Sequence, residues 1–410
     1  MPFVLSDLGQ RTWTLPKLEK NIDDWIPLRE RIIVMSRAEP IQQCEAPTLL
    51  VVGPLPPPFG GTTVSFEVFC QEVTDQRAGI SLEVVDSSPK KLKKQHAIVS
   101  QANFFQACRI MWQFCWRVRA ADVVLIFGSN GFLLAMTPFL LTLAKIMHKP
   151  CYIRSFGGSL DNFYCNLNLG LRWVLRTTLR HADGLIVETE LLQRYFRALV
   201  GDRVHLVPGY RIMPAIHVAR SDWRLRPEAP LRLLFVGHVR EEKGLFELLK
   251  SLQLISAEGN ITVKCDIFGP IYAAIEERFN DELARTENAH YGGILKPDDV
   301  VSTMAQYDAL VFPTYYQGEG HPGVLIEAMM AGIPVISTNF RSIPELIEDG
   351  INGLLVDPKD ADQLAEAILR IYQNRSLQLE MGRHNAEKSV QYDARRVVPR
   401  MLQLVNLCVE

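Results

Sequence analysis

Short apolar runs alternate with longer amphipathic stretches along most of this 410-residue chain. In the first half the runs fall at Thr48–Gly53, Ile80–Asp86, Asp122–Ser129, Cys151–Phe156, Gly184–Glu188 and Val204–Pro208. Each is rich in Val, Ile or Leu, and most close on a Gly, Asp, Ser or Pro. Continuous apolar runs of this length predict strands buried on both faces of a parallel sheet. The segments between them have helical periodicity, so the pattern is that of repeated βαβ units in a doubly wound sheet.

The pattern restarts after Arg220–Pro230, a stretch with three arginines and two prolines that reads as a linker. Further strands are predicted at Leu231–Gly237, Val263–Gly269, Tyr291–Leu295, Ala309–Pro313, Pro334–Thr338 and Gly353–Asp357. Helices are predicted at Gly244–Leu254, Ile271–Asn280 and Asp360–Tyr372. The organisation is an extension over 1–46, an α/β domain over 47–219, a second over 220–390, and a last segment over 391–410. Its helix, near Ala394–Leu407, either finishes the second domain or packs back on the first. Open parallel sheets bind ligands beyond the carboxyl ends of their strands, so a cleft between the two domains is the expected site.

Three stretches placed just after strands carry candidate chemistry. Phe235-Val-Gly-His-Val-Arg-Glu-Glu-Lys243-Gly244 sets His238, Arg240 and Lys243 between a strand and a helix start. Cations beside the free N–H groups of a helix end suit a diphosphate, although Glu241 and Glu242 leave a solvated charged loop as the plainer alternative. The second stretch, Pro313–Gly332, places Glu319 in a glycine-rich loop and Glu327 eight residues on, inside the following helix. Its Gly323 lets a ligand approach the helix start. A carboxylate amid Val324, Leu325, Ile326 and Ala328 needs a partner, and ribose hydroxyls are one. The third stretch runs from Gly53 through six residues containing four prolines to Gly60-Gly61-Thr62-Thr63, and opens a helix. It is not a GxGxxG loop, which disfavours a dinucleotide cofactor. The one DxD, Asp360-Ala-Asp362, opens a helix and reads as a cap.

With these residues in view, the chain resembles the family 4 retaining glycosyltransferases of the GT-B fold, in which two Rossmann-like domains face each other across a cleft. The resemblance rests on Lys243-Gly244, the Glu319/Glu327 pair, Gly332-Ile-Pro-Val-Ile-Ser-Thr, Ile343-Pro-Glu-Leu-Ile and Asn352-Gly-Leu-Leu-Val. More loosely it rests on Gly60-Gly61 and Val207-Pro-Gly-Tyr210. It implies transfer of a hexose-type sugar, with retention, from a UDP- or GDP-sugar to a polysaccharide or lipid-linked acceptor. It implies no permanently bound cofactor and no obligatory metal. Arg240, Lys243 and Glu319 would serve catalysis. Gly60, Gly61, His238, Gly320, His321, Gly323, Val324, Leu325 and Glu327 would hold the donor. Two departures stand out: His238 occupies a position where the family often has arginine, and the turn Arg154-Ser-Phe-Gly-Gly158 lacks the family's frequent histidine. A sugar-nucleotide epimerase of the same fold, or a silent donor-binding subunit, are the alternatives.

Composition changes this picture in two places. The net charge of −2 divides into 24 Lys+Arg against 18 Asp+Glu over residues 1–215, net +6, and 20 against 28 over the rest, net −8. The basic excess concentrates in Ser87–Ala121, with Lys90, Lys91, Lys93, Lys94, Arg109, Arg117 and Arg119 and no acidic residue. There Gln106, Arg109, Gln113 and Arg117 form a polar stripe on an aromatic helix. That suits an anionic membrane surface, against the alternative of a core helix with a basic loop. No nucleic-acid motif accompanies it. The eight cysteines include no CxxC pair and predict reduced, buried thiols. The histidines lack zinc spacing, and no signal peptide or spanning run is evident. Gly131–Ala144 reads as a buried helix. The expected location is cytoplasmic, peripheral on the inner face of the membrane.

Overall fold

The computed structural model describes residues 46–407, apart from 58–59, 76–78, 89–100, 215–229, 258 and 260. All but the last residue of the extension expected over 1–46, most of the Arg220–Pro230 linker, and Lys90, Lys91, Lys93 and Lys94 lie outside the described residues.

The first half contains β1 (Thr48–Gly53), α1 (Gly61–Asp75), β2 (Ser81–Asp86), α2 (Gln101–Arg117), β3 (Val123–Gly128), α3 (Asn130–Ala135) and α4 (Thr137–Ile146). There follow β4 (Cys151–Ser155), α5 (Leu160–Asn166), α6 (Leu169–His181), β5 (Gly184–Val187), α7 (Glu190–Val200) and β6 (Val204–Leu206). The second half contains β7 (Leu231–Val236), α8 (Leu245–Ala257), β8 (Val263–Phe268), α9 (Glu276–Ala284), β9 (Ala289–Gly293), α10 (Val300–Met304), β10 (Ala309–Phe312) and α11 (Gly323–Met330). It ends with β11 (Val335–Thr338), α12 (Ile343–Leu346), β12 (Gly353–Val356), α13 (Ala361–Gln373), α14 (Arg375–Ser389) and α15 (Ala394–Leu404).

The strands form two separate six-stranded sheets, in the orders β2-β1-β3-β4-β5-β6 and β12-β11-β10-β7-β8-β9. All pairings are parallel. Chain order reverses between β1 and β3 in the first sheet and between β7 and β10 in the second. Crevices open at such reversals, and the three candidate stretches follow β1, β7 and β10.

The central strands are dry on both faces: every residue of β3 and β4 is buried, as are those of β10 and β11. Helices α2, α4, α6 and α7 bury Phe114, Leu140, Leu175 and Phe196 against one face of the first sheet. The other face is covered by α1 and by α15, whose Val397, Val398, Met401 and Leu402 pack with Phe66 and Phe69. The end of the chain therefore completes the core of the first sheet.

Three local expectations shift. Gly131–Ala144 is two helices, α3 and α4, because Pro138 lacks the N–H that would continue the first. The last strand of the second sheet's edge is Ala289–Gly293, two residues earlier than expected; on an edge, pairing with β8 sets the register, and the apolar Ile294-Leu295 lies beyond it. Cys70, Cys151 and Cys265 are buried thiols pushed upward by desolvation, but Cys108 and Cys165 are exposed. Asp360 caps α13 by accepting from the N–H groups of Asp362 and Gln363.

Leu402, wholly buried between α15 and the first sheet, tests this closure. Leu402→Ala should cost about 2–5 kcal/mol, read as a lowered thermal midpoint of the first domain.

Candidate functional site

A cleft of about 440 Å³ lies between the carboxyl ends of the two sheets. From the first half it is lined by Gly60, Gly61, Thr62 and Ser65 at the start of α1, by Phe156 and Gly157 after β4, and by Glu188 after β5. From the second half come His238 and Lys243 after β7, Tyr316 through Val324 after β10 (save Gln317), and Glu327 in α11.

The helical period explains who faces the cleft. Gly323, Val324 and Glu327 lie at i, i+1 and i+4 on one side of α11, while Leu325, Ile326, Ala328 and Met329 turn into the core. Leu325 is fully buried and does not line the cleft, contrary to expectation. Arg240 is also absent from the lining. Its guanidinium is drawn aside between the rings of Tyr272 and Tyr316, 5.2 Å from each, with Glu242 at 3.4 Å. The other ten residues expected at the site all line it.

Lys243 is held against Glu319 in a short ion pair, nearly buried, and its Nζ lies 4.8 Å from the Tyr316 ring. The Thr314 hydroxyl donates to the same Glu319 oxygen at 2.9 Å. His238 is held neutral: burial lowers its pKa, and the nearby cations Lys243 and Arg240 lower it further.

The second cation in the cleft is Arg211, which the sequence reading did not single out. Its Nε donates to Glu327 Oε1 at 2.7 Å, and its Nη1 to Ser65 Oγ and to the Tyr210 carbonyl, both at 2.9 Å. The guanidinium lies directly over Gly323: a Cβ there would stand 1.6 Å from Nη2. Arg211 thus occupies the mouth of the α11 N-terminus, where backbone N–H groups and the helix dipole favour an anion. Its backbone is fixed where the chain crosses between domains, with its N–H donating to Tyr392 O at 3.1 Å and its carbonyl accepting from Ala394 N at 2.9 Å. Behind it the fully buried Arg154 donates to the carbonyls of Val207 and Pro208 and stacks 5.3 Å from the Tyr210 ring.

The two halves are clasped beside the cleft. The Gly158 N–H donates to Gly318 O at 3.1 Å, an approach so close that a Cβ at Gly158 would fall 1.6 Å from Glu319 O. Arg341, in left-handed backbone at φ 50°, reaches Asp161 at 2.7 Å. His321 lines the cleft but spends both ring nitrogens on protein groups, Gly209 N at 3.3 Å and Glu345 at 3.2 Å. Glu345 also accepts from the N–H groups of Glu190 and Leu191 at the start of α7. Burial alone would raise the Glu345 carboxyl; the hydrogen bonds from His321 and the α7 backbone outweigh it and hold the pKa below the ordinary value.

Comparison with known proteins bears on each half differently. Residues 221–388 match the family model described as glycosyl transferases group 1. Among similar curated proteins are the capsular polysaccharide biosynthesis glycosyltransferase CapM of Staphylococcus aureus, 31% identical over 38% of this chain and 40% of that protein. Another is the O-antigen chain mannosyltransferase B of Escherichia coli, 30% identical over 35% of this chain and 37% of its own length. The matched part therefore spans about two fifths of these relatives. Solved structures extend the likeness to most of the chain. Sucrose-phosphate synthase of Thermosynechococcus elongatus superposes with a TM-score of 0.67 at 16% identity, over 88% of this chain and 98% of that one. HepE of Anabaena, solved with UDP, gives 0.66 at 14%, over 88% and 99%. At such identities the likeness concerns the fold, which is GT-B.

A clasp made by a depressed carboxyl loses its contribution in acid: it is complete above the ordinary glutamate pKa and fades as pH falls through the lower folded value. Glu345→Gln should therefore lower the thermal midpoint at neutral pH, and the difference from the unaltered protein should shrink below about pH 4.

Proposed function

We propose that the protein is a glycosyltransferase that binds a nucleoside diphosphate sugar in this cleft and transfers the sugar to an acceptor carried by a polysaccharide or lipid. The observation that carries the reading is convergence: Lys243, Arg211 and the N-termini of α1 and α11 meet at the reversal points of two parallel sheets. Two fixed cations and two helix ends form a site for a diphosphate. The CapM and mannosyltransferase likenesses support sugar transfer in surface polysaccharide assembly, and HepE, a protein of the same fold solved with UDP, supports a nucleoside diphosphate as the ligand.

In this reading Glu327 exchanges Arg211 for the ribose hydroxyls, and Arg211 turns its charge to the diphosphate. Lys243 stabilises the charge that grows on the leaving diphosphate, the electrostatic kind of catalysis that preorganised cations supply. Glu319 holds Lys243 in place, and the Gly320–Val324 backbone faces the donor sugar. Leaving-group stabilisation by side chains makes the reaction independent of added metal. Transfer with retention of the anomeric configuration follows the family 4 resemblance.

Calorimetric titration with UDP, GDP, ADP and their hexose conjugates tests the donor site. One nucleotide should bind saturably. Lys243→Ala should lose on the order of tenfold or more in affinity, one charge-assisted contact being worth about 1.5–3 kcal/mol, and turnover should fall further. Glu327→Ala should weaken the nucleoside and nucleotide alike. Normal donor binding in both variants contradicts the assignment. Binding with hydrolysis but no transfer points to an epimerase, and binding with neither points to a silent subunit. Burial and the nearby Lys243 and Arg240 lower the His238 pKa; the negative charge of a diphosphate bound beside it would raise that pKa, so donor binding should take up a proton. Affinity for the nucleotide sugar should then increase as pH falls from 7 towards 5.5 (roughly one unit below the ordinary histidine pKa), and His238→Ala should abolish that slope.

A further inference from the structure

We propose that the outer face of the helical layer formed by α2, α4 and α6 is a docking surface for an anionic lipid bilayer. The first observation is the orientation of α2. Its polar stripe points inward, where it serves the free edge of β2: Gln106 donates to the carbonyls of Ser87 and Ser88 at 2.8 and 2.7 Å. Arg109 donates to Asp86 O at 3.2 Å and Arg117 to Val84 O at 2.6 Å. Ile110, Phe114 and Val118 pack on the sheet. What remains for the outside is aromatic: Phe104, Phe105, Trp112 and Trp116 are 64–71% exposed. A surface helix ordinarily does the reverse.

The exposed apolar surface continues beyond α2. α4 packs between α2 and α6 and presents Phe139 and Ile146, while α6 presents Leu169, Leu171 and Trp173. Of the thirteen large apolar side chains exposed among the described residues, nine are on these three helices. A concentration of this kind marks an interaction surface. A groove of about 560 Å³ between α4 and α6, walled by Leu141, Ile146, Trp173 and Val174, adds Lys145 and His181 to the same face.

Charge selects the partner. Residues 101–182 hold nine Lys+Arg and two acidic residues, net +7, in a chain whose net charge is −2. The two acids are occupied: Asp161 pairs with Arg341, and Asp122 accepts from Thr48 N. Arg119, Arg176 and Arg180 are exposed among the aromatics, while Lys145 beside them is paired with Asp183 at 2.7 Å. Tryptophan with interleaved basic side chains is the composition that settles at the headgroup level of an anionic bilayer. A second copy of the chain fits poorly, since a two-fold contact would set this basic face against itself. No described helix is long and apolar enough to cross a membrane, so the contact is interfacial. The layer covers a face of the sheet rather than its carboxyl end, which leaves the cleft open while the face is docked. The proposal deepens the transferase reading by putting a lipid-linked acceptor within reach, but the docking itself does not depend on it.

Co-sedimentation of the full chain with vesicles of phosphatidylcholine alone, or mixed equally with phosphatidylglycerol, tests the surface. The protein should pellet with the anionic vesicles at low salt and be released at high salt. The combined Trp112→Ser, Trp116→Ser and Trp173→Ser variant should lose at least about tenfold in vesicle affinity. Arg176→Glu with Arg180→Glu should lose about as much and only on anionic vesicles. Thermal midpoints and nucleotide titrations on the same samples should be unchanged, separating this result from misfolding and from failure of the donor-site reading. Absence of vesicle binding, equal binding to both vesicle types, variants that bind like the unaltered protein, or a dimer that the tryptophan variant dissociates would each overturn the proposal.

Discussion

The ion pair between Arg211 and Glu327 is the contact on which the arrangement of this molecule turns. Arg211 belongs to the strand-like segment leaving the first sheet, and Glu327 to the first helical turns after β10 in the second. The arginine's backbone is bonded to the returning chain at Tyr392 and Ala394. One residue therefore touches the crossover, the mouth of α11 and the carboxylate of the cleft. A guanidinium in so confined a place needs several acceptors at once, and it has them in Glu327, Ser65 and the Tyr210 carbonyl. A buried arginine of the first domain, Arg154, braces the same segment from within the core through the carbonyls of Val207 and Pro208.

Charge balance then explains the state of the cleft. Each cation that faces it is matched by a carboxylate, Lys243 by Glu319 and Arg211 by Glu327. Such pairing offsets part of the desolvation cost of holding two partly buried cations in place. On the proposed reading, an arriving diphosphate would share Lys243 with Glu319 and draw Arg211 from Glu327, whose carboxylate would then be free for hydroxyl groups. Binding of the donor is in this account an exchange of partners within a preformed site. The clasp of His321, Glu345 and Arg341 beside it ties the two domains together.

Much of this was legible in the chain. Continuous Val, Ile and Leu runs closing on turn residues marked the central strands, because a strand buried on both faces has no polar alternation to obscure it. The residues after β1, β7 and β10 pointed to the cleft, because strand ends at a reversal of chain order are where parallel sheets open. What stayed hidden depends on direction and long-range pairing. Arg240 and Arg211 look equivalent in sequence; only the rings of Tyr272 and Tyr316 draw the first aside, and only the crossover aims the second inward. Leu325 was indistinguishable from its neighbours until the phase of α11 was known. Arg211 adjoins Val207-Pro-Gly-Tyr210, and Glu345 stands within Ile343-Pro-Glu-Leu-Ile. Both stretches carry the family resemblance, but the partners that tie them to the other domain, Glu327 for Arg211 and the start of α7 for Glu345, lie more than a hundred residues away. The polar stripe of α2 was visible, while the edge strand that absorbs it was not.

The most direct test of the account is calorimetric titration of the preferred nucleoside diphosphate and its monophosphate against Arg211→Met, a change that keeps an unbranched apolar stem and removes the charge. If Arg211 serves the diphosphate, the variant binds the diphosphate on the order of tenfold more weakly while its affinity for the monophosphate changes little. If the variant binds the diphosphate as tightly as the unaltered protein, or more tightly because Glu327 has been freed, Arg211 is only a brace between the domains and the central claim fails.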